Sequence, residues 1–173
     1  MSFLDWLGYR FQERMMGTWR KRGASADTAY RFDLVSIAPS FGSLARDQLL
    51  YLDGTLTLGG LAEKVHATGT LRFTPWFRRR LEYELDCVGD DGKPYHVSGL
   101  KTIRHLNPFK TWTTLPSKIT DAAGNVVGEG IARFPASEFF PLFFSFRITR
   151  GTSAPARPSP AAAVGHAPAA SAA

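Results

Sequence analysis

Residues 83–101 read Tyr-Glu-Leu-Asp-Cys-Val-Gly-Asp-Asp-Gly-Lys-Pro-Tyr-His-Val-Ser-Gly-Leu-Lys, and no other stretch constrains the fold as tightly. Leu81, Tyr83, Leu85 and Cys87 alternate with Glu82, Glu84 and Asp86. One face is therefore apolar and the other acidic, the period-two pattern of a half-buried antiparallel strand. Gly89-Asp90-Asp91-Gly92 supplies residues that tolerate positive φ, and a second β-rich run follows at once. The unit is expected to be a β-hairpin, and hairpins in series close into a barrel or sandwich whose inside can hold a ligand.

The rest of the chain repeats this beat. Gly59-Gly60, Thr74-Pro75, Gly89 to Gly92, Asn107-Pro108, Ala122 to Asn125 and Pro135-Ala136 separate short runs, the punctuation of an all-β barrel and not of βαβ units. Segments 13–22 and 28–37 read as strands, 43–48 as a short helical bridge, and 147–149 as a closing strand after the Phe-rich run 136–146. Phe3, Leu4, Leu7 and Phe11 share one helical face, so an amphipathic helix is expected over 1–12. It would plug the barrel or dip Trp6 into a membrane surface, a contact through residues 2–11. Residues 151–173 hold ten Ala and four Pro with Arg157 as the one charge, a composition expected to be disordered. The expected fold is all-β: an antiparallel, lipocalin-like β-barrel over 13–150 between that helix and that tail.

Charge and cysteine content narrow the function classes. The net charge of +6 comes from short clusters, Arg20-Lys21-Arg22, Arg78-Arg79-Arg80 and the region of Lys101, Arg104 and Lys110, with acids interspersed. No RNP, helix-turn-helix or zinc-finger signature accompanies them, so nucleic acid is not an expected partner. The lone Cys87 sits on an apolar face and reads as an inert buried thiol. No apolar run reaches bilayer length and no secretory leader is visible, so a cytoplasmic location is expected. His66, His96 and His105 lack metal-ligand spacing, and their strand parity places His66 and His96 outside. With no G-x-S-x-G and no phosphate loop, no catalytic set, metal or cofactor is expected.

Lys101 is the residue that a bland barrel does not explain. By parity with Tyr95, Val97 and Ile103 it falls on the apolar side of its strand, unless a bulge at Gly99 turns it to solvent. Inside, it needs a carboxylate or carbonyl partner. Trp112, Thr113 and Thr114 are expected across the next hairpin, so the candidate ligand contacts are Lys101, Tyr95, Trp112, Thr114 and Tyr83. Gly17-Thr18-Trp19 is similar to the G-x-W motif of lipocalins, in which the Trp packs across a barrel end beneath an Arg from the last strand. Arg147 or Arg150 would take that part here.

Over much of residues 11–134 the chain resembles an uncharacterised bacterial β-domain that can be fused to cholesterol-oxidase-like flavoprotein oxidoreductases. The resemblance runs from Phe11-x-Glu-x-Met-x-Gly17 through Gly54-Thr-Leu-Thr-Leu-Gly-Gly and Gly69-Thr-Leu-Arg-Phe. It continues with Tyr83-x-Leu, Asp90-Asp-Gly-Lys-Pro-Tyr, Ser98-Gly-x-Lys101, Trp112-Thr-Thr-Leu-Pro and Gly128-x-Gly-Ile. It implies an accessory domain in lipid or sterol metabolism with no catalytic residue to carry over. The chain lacks a flavin-binding portion, so such an oxidoreductase would be a partner in trans. The leading functional expectation is non-catalytic binding or carriage of an apolar molecule such as a fatty acid or sterol. The alternatives are a small enzyme acting on such a lipid, and a protein-interaction domain with a filled core.

Overall fold

The alternation becomes nine strands in the computed structural model, which describes residues 6–73, 80–102, 113–135 and 147–150. These are β1 (Leu7–Lys21), β2 (Thr28–Ala38), β3 (Leu49–Leu58), β4 (Ala62–Phe73), β5 (Arg80–Val88), β6 (Pro94–Thr102), β7 (Thr114–Asp121), β8 (Val126–Arg133) and β9 (Arg147–Arg150). Each of the first seven pairs antiparallel with the next, and β8 returns to β1, which closes the ring. Closure leaves no edge within the barrel. β9 lies outside it, along the first residues of β1, with Leu7 opposite Arg150 and Arg10 opposite Arg147.

The hairpin of β5 and β6 forms where the sequence places it, in unbroken register from Arg80 opposite Thr102 to Val88 opposite Pro94. The β6–β7 ladder is also continuous from Tyr95 opposite Asp121 to Gly99 opposite Ser117. Gly99 therefore carries no bulge, and Lys101 keeps the inward parity of Tyr95 and Val97. The two similar strings starting at Gly54 and Gly69 fall on neighbouring strands, with Gly54 opposite Ala67 and Leu52 opposite Gly69.

The expected N-terminal helix is corrected. Residues 7–12 are the start of β1, and the described helix is α1, Phe41–Asp47, between β2 and β3. Leu7 and Phe11 are four apart, a spacing that fits a helical face and a period of two equally well. Tyr9 between them decides for the strand, because β2 and β9 are both available to satisfy its backbone. α1 fills the place of the expected bridge. Ser40 caps it by accepting from the Ser43 amide at 2.9 Å while Ser43 Oγ accepts from the Ser40 amide at 3.1 Å. Gln48, at φ 54°, ends it.

The two ends of the barrel differ. Residues 22–27, 59–61, 89–93 and 122–125 are short turns at one end, whereas the longer connection 39–48, with α1, joins β2 to β3 at the other. Residues 136–146 and the tail lie outside the described residues. Between the ends, Met15, Phe32, Leu50, Leu56 and Ile119 expose nothing, so no water-sized space adjoins them. Tyr30, Phe32 and Tyr83 stack through the same section at centroid distances of 5.9 and 6.3 Å. An eight-stranded barrel is just narrow enough for side chains to fill, and here they fill this section. Among the described residues no helix is long and apolar enough to cross a membrane.

Gly17 allows β1 to bend into the closing contact with β8. A Cβ there would stand 1.8 Å from the Ile131 carbonyl oxygen and 2.9 Å from Ala132 Cα, both backbone atoms. Gly17→Ala is expected to destabilise the fold by at least about 2 kcal/mol, since overpacking of this kind forces the strands apart. Urea unfolding measures it, and a change below about half a kcal/mol would refute the close approach.

Candidate functional site

Lys101 is 1% exposed, and a carboxylate reaches it from β1, three strands round the ring. Its Nζ donates to Glu13 Oε1 at 3.1 Å and to the Tyr83 hydroxyl at 3.3 Å, and it stands 4.9 Å from the Tyr83 ring centroid. Tyr83 Oη in turn donates to both Glu13 oxygens, at 3.1 and 2.9 Å. Three strands thus meet at one buried point: β1 through Glu13, β5 through Tyr83 and β6 through Lys101. Burial first, and then the Glu13 carboxylate, push the Tyr83 hydroxyl well above its ordinary range, so it stays protonated as the donor. The cluster satisfies itself. Glu13 occupies the position that the carboxylate of a fatty acid would need, so Lys101 presents no uncompensated charge to the interior.

The other sequence candidates are dispersed. Tyr95 points inward, but at the turn end, where its hydroxyl donates to Asp91 Oδ2 at 2.8 Å. Six residues of strand, about 20 Å, separate it from Lys101. Thr114 lies on the face of β7 opposite to the buried Leu115, Ser117 and Ile119, so it points away from the interior. Trp112 lies outside the described residues. Trp19 is buried, its ring lying where a Cβ on Gly128 would stand 2.7 Å away. The arginine expected above it is not Arg147, which is exposed, nor Arg150. Both pair with the opposite end of β1. Glu13 was not singled out from sequence, although its parity with Met15 and Trp19 on β1 already put it on the inner face.

The outer wall carries the concavity. An open groove of about 820 Å³ crosses β5, β6, β7, β8 and β1. Its floor is a cross-strand row in which Glu82 faces Leu100, Pro116 faces Ile131 and Ile131 faces Thr18. A second row, Glu84, Ser98, Lys118, Glu129 and Arg20, runs beside it. Leu100 and Ile131 are exposed large apolar side chains. Behind the floor, Gly99 and Gly130 present no inward side chain, and Leu115 and Trp19 pack where their Cβ atoms would be, each 2.8 Å away. Asp27, Glu82, Glu84 and Glu129 outnumber Arg20 and Lys118 in the lining, so the groove is acidic on a basic chain.

His96 borders the groove on the outer face of β6, as its parity predicts. Nδ1 meets Asp86 Oδ1 at 2.7 Å and Nε2 meets Glu84 Oε2 at 2.5 Å. Both ring nitrogens face carboxylates, which favours the doubly protonated ring. His66 is likewise exposed, 2.7 Å from Asp53. Cys87 is buried, and burial pushes its thiol up to about 12, as expected of an inert cysteine. Among the described residues no group of three or more His, Cys, Asp or Glu side chains could hold a metal ion.

The chain matches no protein-family model, no curated protein and no solved structure.

His96 generates a pH prediction. Its hydrogen bond to Asp86, followed by that to Glu84, raises its pKa above the ordinary 6.5. A raised histidine pKa contributes stability that is fully present below the unfolded value and is lost as pH rises through the folded one. The midpoint of thermal unfolding should therefore contain a component that falls as pH is raised above 6.5, and His96→Gln should remove it. An NMR titration of the ring giving a pKa at or below 6.5 would contradict this.

Proposed function

We propose that this barrel is a non-catalytic binding module that works from its outer wall, holding an extended segment of a partner protein in the groove. The observation that carries the reading is the contrast between the packed section of the described interior, where Lys101 is already paired with Glu13, and an acid-rimmed groove outside. Pockets for small molecules enclose most of the ligand surface, and this groove is open to solvent along its length. A cross-strand apolar row flanked by a row of alternating charges suits a chain laid across it. The excess of carboxylates selects a segment whose apolar side chain is flanked by Lys or Arg.

The same contrast weighs against carriage of a fatty acid or sterol inside the barrel, and against an enzyme built on Lys101 and Tyr95. A head group would have to displace Glu13 and leave a second carboxylate buried. The resemblance to a domain fused to flavoprotein oxidoreductases supports an accessory role and makes such an enzyme the first partner to try in trans. Kinship with lipocalins draws support from the closed eight-stranded meander and the burial of Trp19, but not from the position of Arg147. A cytoplasmic setting accords with the single inert thiol.

The test is selection of binding peptides from a random extended library against the whole chain. Enriched sequences should place an apolar residue beside Lys or Arg, and their binding should fall at least about tenfold in Ile131→Asp and Leu100→Asp, a loss of about 1.4 kcal/mol. Enriched peptides indifferent to both substitutions would sink the reading. So would saturable binding of a fluorescent fatty acid or sterol that Lys101→Met abolishes, since that outcome belongs to a carrier.

A further inference from the structure

Three of the five exposed large apolar side chains among the described residues, Met16 at 42%, Leu100 at 43% and Ile131 at 46%, lie on one outward face of the barrel. Leu100 and Ile131 belong to the floor of the groove, and Met16 stands just beyond its lip. The outward positions are Met16, Thr18 and Arg20 on β1 and Glu129, Ile131 and Arg133 on β8, as the alternation of burial along both strands shows. The register therefore lays three rows across these strands, about 7 Å apart. The middle row is the floor, where Ile131 faces Thr18. On one side of it, Met16 has Arg133 directly opposite on β8 and Arg31 directly opposite on β2. On the other side, Glu129 faces Arg20, which holds Asp27 at 2.6 Å. Arg31 likewise holds Asp33 at 2.9 Å, but neither Arg133 nor Glu129 forms an ion pair with a described residue.

We infer that this face is a two-fold interface, and that the segment held in the groove is β1 of a second copy of this chain. The inference rests on the reading of the groove as a site for an extended segment, and it names that segment. Met16 is an apolar side chain with an arginine on each side of it, which is the chemistry the groove selects. Two such walls can meet about a two-fold axis that runs along the floor row. Each outer row then covers the opposite outer row of the second copy, strand for strand. Ile131 meets its own copy, Met16 lies along the aliphatic stem of Arg20, and Arg133 stands over Glu129. The lip of each copy seats in the groove of the other, so the contact is made twice and closes on itself. An axis along the arginine row would instead set Arg133 against its own copy, and like-charge repulsion disfavours it.

The experiment is sedimentation velocity of the full chain over a concentration series, with charge reversals at the pair that meets across the axis. The unmodified chain should dimerise, and added salt should weaken the dimer. Arg133→Glu and Glu129→Arg should each weaken it at least about tenfold, because each sets like charges face to face. Both positions are exposed, so the unfolding midpoint should not change. An equimolar mixture of the two variants should restore the dimer, since every reversed side chain then meets its opposite. A chain that stays monomeric up to about 1 mM would overturn the inference. So would a dimer indifferent to the single reversals, or a mixture that fails to associate. Arg133 is not part of the groove lining, so Arg133→Glu should still bind the selected peptides. Peptide binding by a chain that never dimerises would leave the groove reading intact and sink only the second copy as its occupant.

Discussion

A lysine inside a β-barrel can keep its charge only if a carboxylate is brought to it, and in this chain the carboxylate comes from β1, three strands round the ring. Desolvating both ions costs several kcal/mol each, and the 3.1 Å contact from Lys101 to Glu13 offsets part of that with the help of Tyr83, which accepts from Lys101 and donates to Glu13. The gain in stability over an apolar trio is small at best. The gain in specificity is larger. A slip of one residue in β1 would turn Glu13 outwards and leave Lys101 buried without a partner, so the contact selects one register for the strand that closes the barrel. The interior of a barrel is an obvious place for a ligand, but here that polar position is occupied by the chain itself.

The same closure shapes the outside. Gly17 brings β1 against β8, Trp19 lies over Gly128 and Gly130, and Leu115 packs against Gly99. Large residues inside are thus matched by glycines in the wall, and Gly99 and Gly130 line the groove. Its floor residues, Leu100, Pro116 and Ile131, point outwards, and Gly99 and Gly130 are the inward-facing neighbours of Leu100 and Ile131. A module built this way can hold a segment on its surface without opening its core.

Much of the fold was legible because its signal is local. Alternation in residues 81–101 and the Gly-Asp-Asp-Gly turn specify a hairpin without reference to the rest of the chain, and Lys101 was marked as a problem by parity alone. The start of β1 was misread because Leu7 and Phe11 satisfy two periods, and only pairing with β2 and β9, residues distant in sequence, decides between them. Glu13 escaped for a related reason. A glutamate in a strand is ordinarily a surface residue, and nothing local says that the ring will carry it across to a lysine 88 positions away. Arg147 was assigned to Trp19 by analogy, whereas β9 pairs with the other end of β1. The groove could not be read at all, since its rows are set by the register of five strands.

The most direct test is a double-mutant cycle on Glu13 and Lys101, using Glu13→Gln and Lys101→Met and reading urea unfolding. Removing either partner alone strands the other in the core and should cost about 3–5 kcal/mol. The double variant should lose much less than the sum, with a coupling of at least about 2 kcal/mol. Costs that simply add, with a coupling within about half a kcal/mol, would show that the two side chains do not hold each other and that Lys101 is open to another partner.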